Sequence, residues 1–258
     1  MHLSERQTEI LHRARVEGRV EVEALATAFD VTTQTIRRDL NELSQAGLLA
    51  RVHGGAVATA RVANVAYAER RVVSAPEKQA IGRRAAGMIP DGCSVILNIG
   101  TTTEEVARAL VDRLDLVVIT NNLNVVQILS GTPRKEIILA GGVVRQPDGA
   151  IVGDETVEFI RRFKADFAFI GCSALDEDGA IMDYDLREVA VARAIVENAR
   201  RTILVCDRLK FDRTAPVRIC SVADIHAVVT DAPPPGPFVA ACERAGVAVE
   251  IALATEVV

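Results

Sequence analysis

The sequence predicts two domains of different class: an α+β winged helix-turn-helix, then an α/β domain with a mostly parallel sheet. Three observations carry this. Residues 31–56 read as a helix with one polar face, followed by an extended run and a Gly54-Gly55 turn. From residue 94 onward short apolar runs alternate with helical patterns, as in a buried parallel sheet covered by helices. A length of 258 residues suits two domains on a prior of roughly 100–200 residues each.

The first helix opens at Ser4-Glu5-Arg6-Gln7, which has the spacing of a capping box. Ile10, Leu11 and Ala14 supply its apolar stripe up to Gly18. Val22, Leu25, Ala26 and Phe29 mark a second, short helix, and Asp30-Val31 makes the turn. The third helix starts at Thr32, whose hydroxyl can cap the free N–H groups of the first turn. Ile36, Leu40 and Leu43 recur at i, i+4 and i+7, so one face is buried. Gln34, Arg37, Arg38, Asn41 and Gln45 fall largely on the other side. Gly47 is the expected helix end. Residues 48–52 are extended, and Gly54-Gly55 folds residues 56–58 back against them. The winged helix-turn-helix is expected over residues 1–58.

An exposed helix face carrying arginine and amide side chains fits the major groove, where arginine takes guanine and glutamine or asparagine takes adenine. The expected DNA-facing set is Thr32, Thr33, Gln34, Thr35, Arg37, Arg38 and Asn41, with Arg51 and His53 from the hairpin. Arg37-Arg38 beside Asp39 would alone be weak evidence, since arginine pairs are common on solvated faces. The cap, the preceding short helix and the following hairpin decide for double-stranded DNA. Residues 1–60 hold seven arginines and no lysine against eight acids. The charge that meets DNA is therefore local rather than a broad basic field.

Residues 59–73 show no periodicity and read as a linker. Ser74 to Glu77 repeats the capping-box spacing and opens a helix to about residue 88, with Pro76 tolerated in its first turn. After Pro90-Asp91-Gly92 the expected strands are 94–99, 116–120, 136–140, 166–171, 202–206, 227–230 and 247–253. Helices are expected at 103–114, at 122–129 and around Phe159. The longest helix is expected at 185–200, with Val189, Ala192, Val196 and Ala199 on one face. The second domain then spans residues 74–258.

Ligands of such sheets bind outside the carboxyl ends of the strands. Gly100-Thr101-Thr102-Thr103 follows the first strand and opens a helix, presenting hydroxyls and free N–H groups beside a positive helix end. That is phosphate-binding chemistry, although a threonine-capped turn explains the stretch equally well by itself. Thr120-Asn121-Asn122 ends the second strand, and Gly141-Gly142 ends the third with Arg145 just beyond. Gly171-Cys172-Ser173 ends the fourth, and Lys210 follows the strand ending at Asp207. Four polar or glycine-rich strand ends with one arginine and one lysine favour a phosphorylated small molecule. Asp183 and Glu188, around the start of the long helix, complete the expected ligand set.

Composition excludes several classes. With 49% hydrophobic and 25% charged residues the chain is an ordinary globular protein. Its net charge of −5 gives no global pull toward nucleic acid. Cys93, Cys172, Cys206, Cys220 and Cys242 are odd in number, without CxxC spacing or a histidine cluster. They are expected as reduced, mostly apolar positions, with no metal and no cofactor. Glu5 and Arg6 come too early for a signal peptide, and no apolar run spans a bilayer. A cytoplasmic protein with no membrane contact is expected.

Thr35-Ile36-Arg37-Arg38-Asp39-Leu40, with Gly47-Leu48 and Arg51-Val52-His53-Gly54-Gly55, resembles the signature of the DeoR family of bacterial transcriptional regulators. The second domain resembles that family's sensor domain, itself similar in fold to ribose-5-phosphate isomerase. The likeness rests on NIGTTTEEVA at 98–107, TNNLNV at 120–125, ILAGG at 138–142, DGAIVGD at 148–154, AIVENAR at 194–200 and TDAPPP at 230–235. It implies a repressor of a carbon-catabolism operon, released from operator DNA by a phosphorylated metabolite. Glycerol 3-phosphate is the first choice and a sugar phosphate the second. Two-fold operators reward paired reading heads, so a homodimer or homotetramer is expected. The isomerase-like fold raises a rival, a sugar-phosphate isomerase with Glu188 as base and Asp176 or Asp183 assisting. Departures count against it: the isomerase carries a lysine and glycines before its catalytic glutamate, where this chain has Ala180-Ile181-Met182-Asp183-Tyr184. Asn98 also replaces an aspartate common in relatives of the sensor domain. A sensor without catalytic residues is expected.

Overall fold

The chain divides into two units, Met1–Ala63 and Asn64–Val258, and a computed structural model describes residues 4–17, 19–45, 48–52, 54–58 and 67–253. In the first unit, α1 (Glu5–Glu17) opens on the expected capping box. Gln7 N donates to Ser4 Oγ at 3.2 Å, and Ser4 N donates to Gln7 Oε1 at 3.0 Å. Then come β1 (Arg19–Glu21), α2 (Val22–Ala28) and α3 (Thr33–Gln45). Thr32 caps α3, its hydroxyl accepting Thr35 N at 3.2 Å. The wing is β2 (Leu49–Val52) and β3 (Gly55–Ala58), joined through Gly54 at φ +76°. Ile10, Leu11, Leu25, Ile36, Leu40, Leu43 and Leu49 form the core. Strand β1 was not expected; it pairs antiparallel with β3, giving the order β1-β3-β2. Gly55 permits that approach, since a Cβ there would lie 2.0 Å from the Val20 carbonyl oxygen. The expected helix end at Gly47 lies outside the described residues.

The second unit begins with a correction. Part of the expected linker is α4 (Tyr67–Val72), followed by α5 (Ala75–Ala86). Ser74 does not form the expected capping box: it sits left-handed at φ 54° and makes no side-chain cap bond. A capping hydroxyl reaches the first turn from extended backbone, which this residue does not have. The chain continues with β4 (Ser94–Leu97), α6 (Thr101–Ala109), β5 (Leu116–Thr120), α7 (Leu123–Leu129), β6 (Lys135–Leu139), β7 (Val143–Arg145) and β8 (Ala150–Val152). Next are α8 (Asp154–Ile160), β9 (Ala165–Ile170), β10 (Ala174–Leu175), β11 (Ala180–Asp183), α9 (Leu186–Glu197) and β12 (Ala199–Val205). The last are β13 (Val217–Ser221), β14 (Ala227–Thr230), α10 (Gly236–Ala245) and β15 (Ala248–Ile251).

Seven strands form one sheet in the order β15-β14-β12-β9-β4-β5-β6, every neighbouring pair parallel. Successive side chains point to opposite faces, and both faces are apolar. Val95, Leu97, Val118, Phe169 and Ile203 pack with α5, α6 and α7. Ile96, Ile119, Ala168, Ile170 and Leu204 pack with α8, α9 and α10. Two small antiparallel sheets, β7-β8 and β10-β11-β13, were not expected. Helix α6 begins at Thr101, not residue 103, so the three threonines form its first turn rather than a loop. Helix α9 ends at Glu197 with 12 residues, shorter than α1 and α3 at 13 each. Ala199 belongs to β12, where it pairs with Ala165 instead of extending the helix face.

Sheet growth reverses at β4. The chain adds β5 and β6 on one side, then crosses to add β9, β12, β14 and β15 on the other. The carboxyl ends of β4 and β9 therefore flank a topological switch point, where open α/β sheets hold their ligands.

Candidate nucleic-acid interface and ligand crevice

On α3 the buried stripe turns Thr33, Gln34, Arg37, Arg38 and Asn41 to solvent, with Thr32 at the cap. Thr35 is half-buried, 3.0 Å from the Thr32 hydroxyl. Arg37 makes no ion pair among the described residues. Arg38 Nε donates to Glu42 at 3.1 Å while its side chain stays 83% exposed. Arg51 is exposed on β2. His53 lies outside the described residues.

Asp39 does not share this face. It is buried, accepting Arg6 Nε at 2.7 Å and Gln7 Nε2 at 3.3 Å. Gln7 Nε2 also donates to Glu42 at 2.6 Å. The hydrogen bond to Asp39 raises the Arg6 guanidinium further above its ordinary range. Asp39 thus fastens α1 to α3 and takes its negative charge inward, leaving arginines on the outer face. An open hollow of about 1150 Å³ between the starts of these helices is lined by Arg6, Gln34, Arg37, Arg38 and Asn41, among others.

At the switch point of the second unit, β4 runs into Asn98, buried with no partner for Oδ1 among the described residues. Gly100, at φ +135°, starts α6 by accepting Glu104 N at 3.0 Å and Thr103 Oγ1 at 2.7 Å. Thr101, Thr102 and Thr103 are buried in the first turn. At the end of β5, Thr120 Oγ1 donates to the Leu97 carbonyl at 2.7 Å, tying that strand to β4. Asn121 Nδ2 donates to the Ile151 carbonyl at 3.1 Å, and its Oδ1 is buried without a partner among the described residues. Beyond β12, Asp207 accepts Leu209 N at 3.1 Å and opens the 3-10 turn Arg208–Lys210.

Lys210 is buried there, and burial pushes its ammonium down against the pull of Asp207. Lys78, on the buried stripe of α5 with Ile81 and Ala85, stands on the same carboxylate, Nζ to Asp207 Oδ2 3.8 Å. Its other partners are the carbonyls of Arg70 at 2.5 Å and Val73 at 2.7 Å. Burial, with Lys210, Arg213 and Arg70 nearby, pushes Lys78 down to about 8 despite Asp207. Asp207 thus pairs with one buried lysine, Lys78, and acts on a second, Lys210, through its charge.

Arg145 is not free for a phosphate. It donates to Asp148 Oδ1 at 2.9 Å, to Glu188 Oε2 at 2.8 Å and to Asp185 Oδ2 at 3.3 Å, with a further bond to Asp148 Oδ2. Burial, then Asp183, pushes Glu188 up to about 7, while Arg145 opposes the shift. Asp183 is buried and accepts Ser173 Oγ at 2.9 Å and Tyr184 N at 2.7 Å. Gly141 and Gly142 are exposed beyond β6, the sheet's edge strand. The Gly141 carbonyl accepts Thr156 Oγ1 at 2.9 Å, and a Cβ on Gly142 would lie 2.2 Å from that oxygen. Both glycines serve the seat of α8. From the expected set, Thr101, Thr102, Thr103, Thr120, Asn121 and Lys210 thus lie at or just beyond the carboxyl ends of β4, β5 and β12. Sequence reasoning missed Lys78 and Asp207; a lysine in phase with Ile81 and Ala85 was the available signal.

Residues 6–62 match the family model described as a DeoR-like helix-turn-helix domain, and residues 73–232 match the DeoR C terminal sensor domain. The chain is 43% identical over 235 residues to the glycerol-3-phosphate regulon repressor of Escherichia coli strain K12, covering 91% of this chain and 93% of that one. It is 42% identical to the repressor of the same name from Haemophilus influenzae, covering 92% of each. It is also 39% identical to the HTH-type transcriptional repressor CsqR of E. coli K12, over 89% of this chain and 88% of that one. Ribose 5-phosphate isomerase A of Methanocaldococcus jannaschii aligns with 54% of this chain and 55% of its own, at 14% identity and a TM-score of 0.41. That likeness is too loose to say anything of activity. No helix among the described residues is long and apolar enough to cross a membrane.

Proposed function

This chain belongs to the DeoR family of transcriptional regulators, and from that premise we propose what it senses and how it lets go of DNA. It represses a carbon-catabolism operon and leaves the operator when a phosphorylated metabolite fills the strand-end crevice. Glycerol 3-phosphate is the first choice, in keeping with the names of the E. coli and H. influenzae relatives. A different sugar phosphate is the alternative, because a repressor not named for glycerol 3-phosphate is nearly as similar.

The observation that carries the effector class is the charge balance at Lys78 and Lys210. Asp207 pairs with the buried Lys78 and acts on the buried Lys210 through its charge, so two buried cations face one carboxylate. Buried charges are costly unless paired, and a phosphate dianion supplies the missing negative charge. The first turn of α6 offers it free N–H groups and threonine hydroxyls. Isomerase chemistry is disfavoured because Glu188, its base, is tied to Arg145.

Thr32, Thr33, Gln34, Thr35, Arg37, Arg38, Asn41, Arg51 and His53 are the proposed DNA-facing residues, working in a homodimer or homotetramer on a two-fold operator. Effector and operator sites lie on separate units, so release acts through placement of the reading heads. Such coupling is typically about 1–3 kcal/mol and reciprocal. The test is a titration of an operator fragment, selected from genomic DNA by the purified chain, with and without phosphorylated compounds. An operator complex indifferent to glycerol 3-phosphate and to every sugar phosphate tried would overturn the reading.

A further inference from the structure

We propose that Cys172 and Cys206 form a peroxide-sensitive dithiol, whose oxidation to a disulfide makes the regulator less responsive to its effector. The bond rests on strand geometry, and its effect on ligand binding rests on the phosphate-effector reading above.

The first observation is register. Strands β9 and β12 run side by side in parallel, with Ile170 opposite Leu204. Two residues further along each chain come Cys172 and Cys206. Side chains return to the same face every second residue, so both thiols turn to the face that Ile170 and Leu204 occupy. Cys206 belongs to the apolar core on that face, and Cys172 packs against it. The two chains stay together at this level, since a Cβ on Gly171 would lie 4.0 Å from the Val205 carbonyl oxygen. Neighbouring strands lie about 4.7–4.9 Å apart, within the span of about 4.4–6.8 Å that disulfides bridge between Cα atoms.

The second is a division of labour between the sulfurs. Cys206 is 0% exposed, whereas Cys172 is half-buried. Hydrogen bonding to Cys172, then burial, pushes the Cys206 thiol well above its ordinary range. Cys206 therefore stays protonated while Cys172 meets solvent. Lys210 lies in electrostatic range of Cys172, and a cation nearby is the setting in which cysteines react as nucleophiles. Cys172 is the attacking sulfur and Cys206 the resolving one.

The other cysteines are placed differently. Cys93 belongs to the core on the opposite face of the sheet, and Cys242 lies on α10. Cys220 is half-buried on β13, and β11 stands between that strand and β10, the strand that follows Cys172.

The chemistry balances with a peroxide as oxidant. Cys172 Sγ, as thiolate, attacks one peroxide oxygen, and the O–O bond breaks. Its electron pair leaves with the other oxygen, which takes up protons as water, and Cys172 becomes a sulfenic acid. Cys206 Sγ then attacks the Cys172 sulfur, the S–O bond breaks, and hydroxide leaves with the Cys206 proton as a second water. The two thiols lose two electrons and the peroxide gains them. A small dithiol reverses the bond by exchange.

The consequence follows from sequence neighbours. A disulfide holds its Cβ atoms about 3.8 Å apart, closer than the strand spacing, so the bond draws the ends of β9 and β12 together. Asp207 comes next after Cys206, where it pairs with Lys78 and caps the turn leading to Lys210. Displacing Asp207 disturbs the charge balance that receives a phosphate. The oxidised protein then keeps its operator at effector concentrations that release the reduced one.

The experiment treats the reduced full chain with hydrogen peroxide and maps its peptides by mass spectrometry without reduction. Calorimetry with glycerol 3-phosphate is run before oxidation, after it, and after dithiothreitol. Cys172→Ser, Cys206→Ala and Cys220→Ser are compared, each checked for cooperative unfolding. Wild type and Cys220→Ser should yield peptides linked through Cys172 and Cys206, which dithiothreitol separates; the other two variants should yield none. Oxidised wild type should bind glycerol 3-phosphate at least about fivefold more weakly, the low end of typical coupling, and the affinity of Cys172→Ser should not respond to peroxide. Wild-type Cys172 linked to Cys220, or driven to higher acids without joining Cys206, would overturn the dithiol, a result needing no variant to fold. A disulfide that leaves affinity unchanged would overturn the regulatory effect. If the reduced chain binds no glycerol 3-phosphate, the choice of effector fails, while the peptide map still decides the dithiol.

Discussion

Raising the pH from 7 to 9 should weaken effector binding about tenfold, and Lys78 sets that figure. Its folded-state value is about 8, so the free protein carries that charge in roughly nine-tenths of molecules at pH 7 and one-tenth at pH 9. A bound phosphate favours the charged form and restores the proton. The ligand's own second ionisation, near pKa 6 for phosphate monoesters, is essentially complete over this range. Lys210 is shifted in the same direction, and Glu188, titrating near 7, adds a repelling charge as it ionises; both deepen the loss. Stability should move oppositely. The folded value of Lys78 lies below its ordinary 10.5, so the unfolded chain holds more protons between them. Its contribution to stability is fully present above 10.5 and is lost as pH falls through 8, about 3 kcal/mol in all at roughly 1.36 kcal/mol per unit. The assay is calorimetry with glycerol 3-phosphate at pH 7, 8 and 9 in two buffers of different ionisation enthalpy. Uptake of about half a proton is expected at pH 8. Equal affinity at pH 7 and 9 without proton uptake would refute the placement of phosphate beside Lys78.

Other outcomes are expected on simpler grounds. Arg37→Ala should lose operator affinity by about 1–3 kcal/mol if Arg37 reads a guanine, with thermal stability within about 0.5 kcal/mol; fluorescence anisotropy against labelled operator checks it, and wild-type affinity would remove Arg37 from the reading face. Asp39→Ala should destabilise the winged helix by about 1–3 kcal/mol, because Arg6 and Gln7 lose the carboxylate they share; thermal unfolding of the full chain measures this. Gly55→Ala should cost at least about 1–3 kcal/mol, since the added methyl meets the Val20 carbonyl oxygen, and an unchanged melting curve would mean that β1 is not held as described. Ribose 5-phosphate should give no turnover above background, and turnover abolished by Glu188→Ala would place the chain among the enzymes.

What the sequence revealed is what local periodicity encodes. The stripe Ile36, Leu40 and Leu43 buries one side of α3 and exposes the other whatever lies beyond it, so the helix and its polar face were legible. The runs from 94 to 99 and 116 to 120 were legible as strands because both faces are apolar. The serines at 4 and 74 mark the limit. Each stands three residues before a side chain able to complete a capping box, yet only Ser4 forms one; the left-handed backbone at Ser74, directly after α4, is not written in the spacing. Tyr67 and Arg70 were hidden for a related reason. Their six-residue helix has no stripe, and their partners, Glu104 and Asp148, are far away in sequence. Arg145 shows the converse: nothing in an arginine after a glycine pair announces the three carboxylates that hold it in the fold.

The central position of β4 has a consequence for how the protein is made. The ribosome completes the winged helix first, and its described strands pair with one another within the first 58 residues. The second unit has no such convenience. Strand β4 finds β5 soon after emerging, but its other neighbour, β9, begins only at Ala165. At roughly 5–20 residues per second, β9 follows several seconds later. During that interval the nascent sheet exposes the edge of Val95, Ile96 and Leu97, apolar on both sides. Unpaired apolar edges invite pairing with other chains, so production of this regulator depends on whatever shields nascent chains during those seconds. Slowing translation between residues 98 and 164 should lower the yield of soluble protein, and slowing it within the first 58 should not.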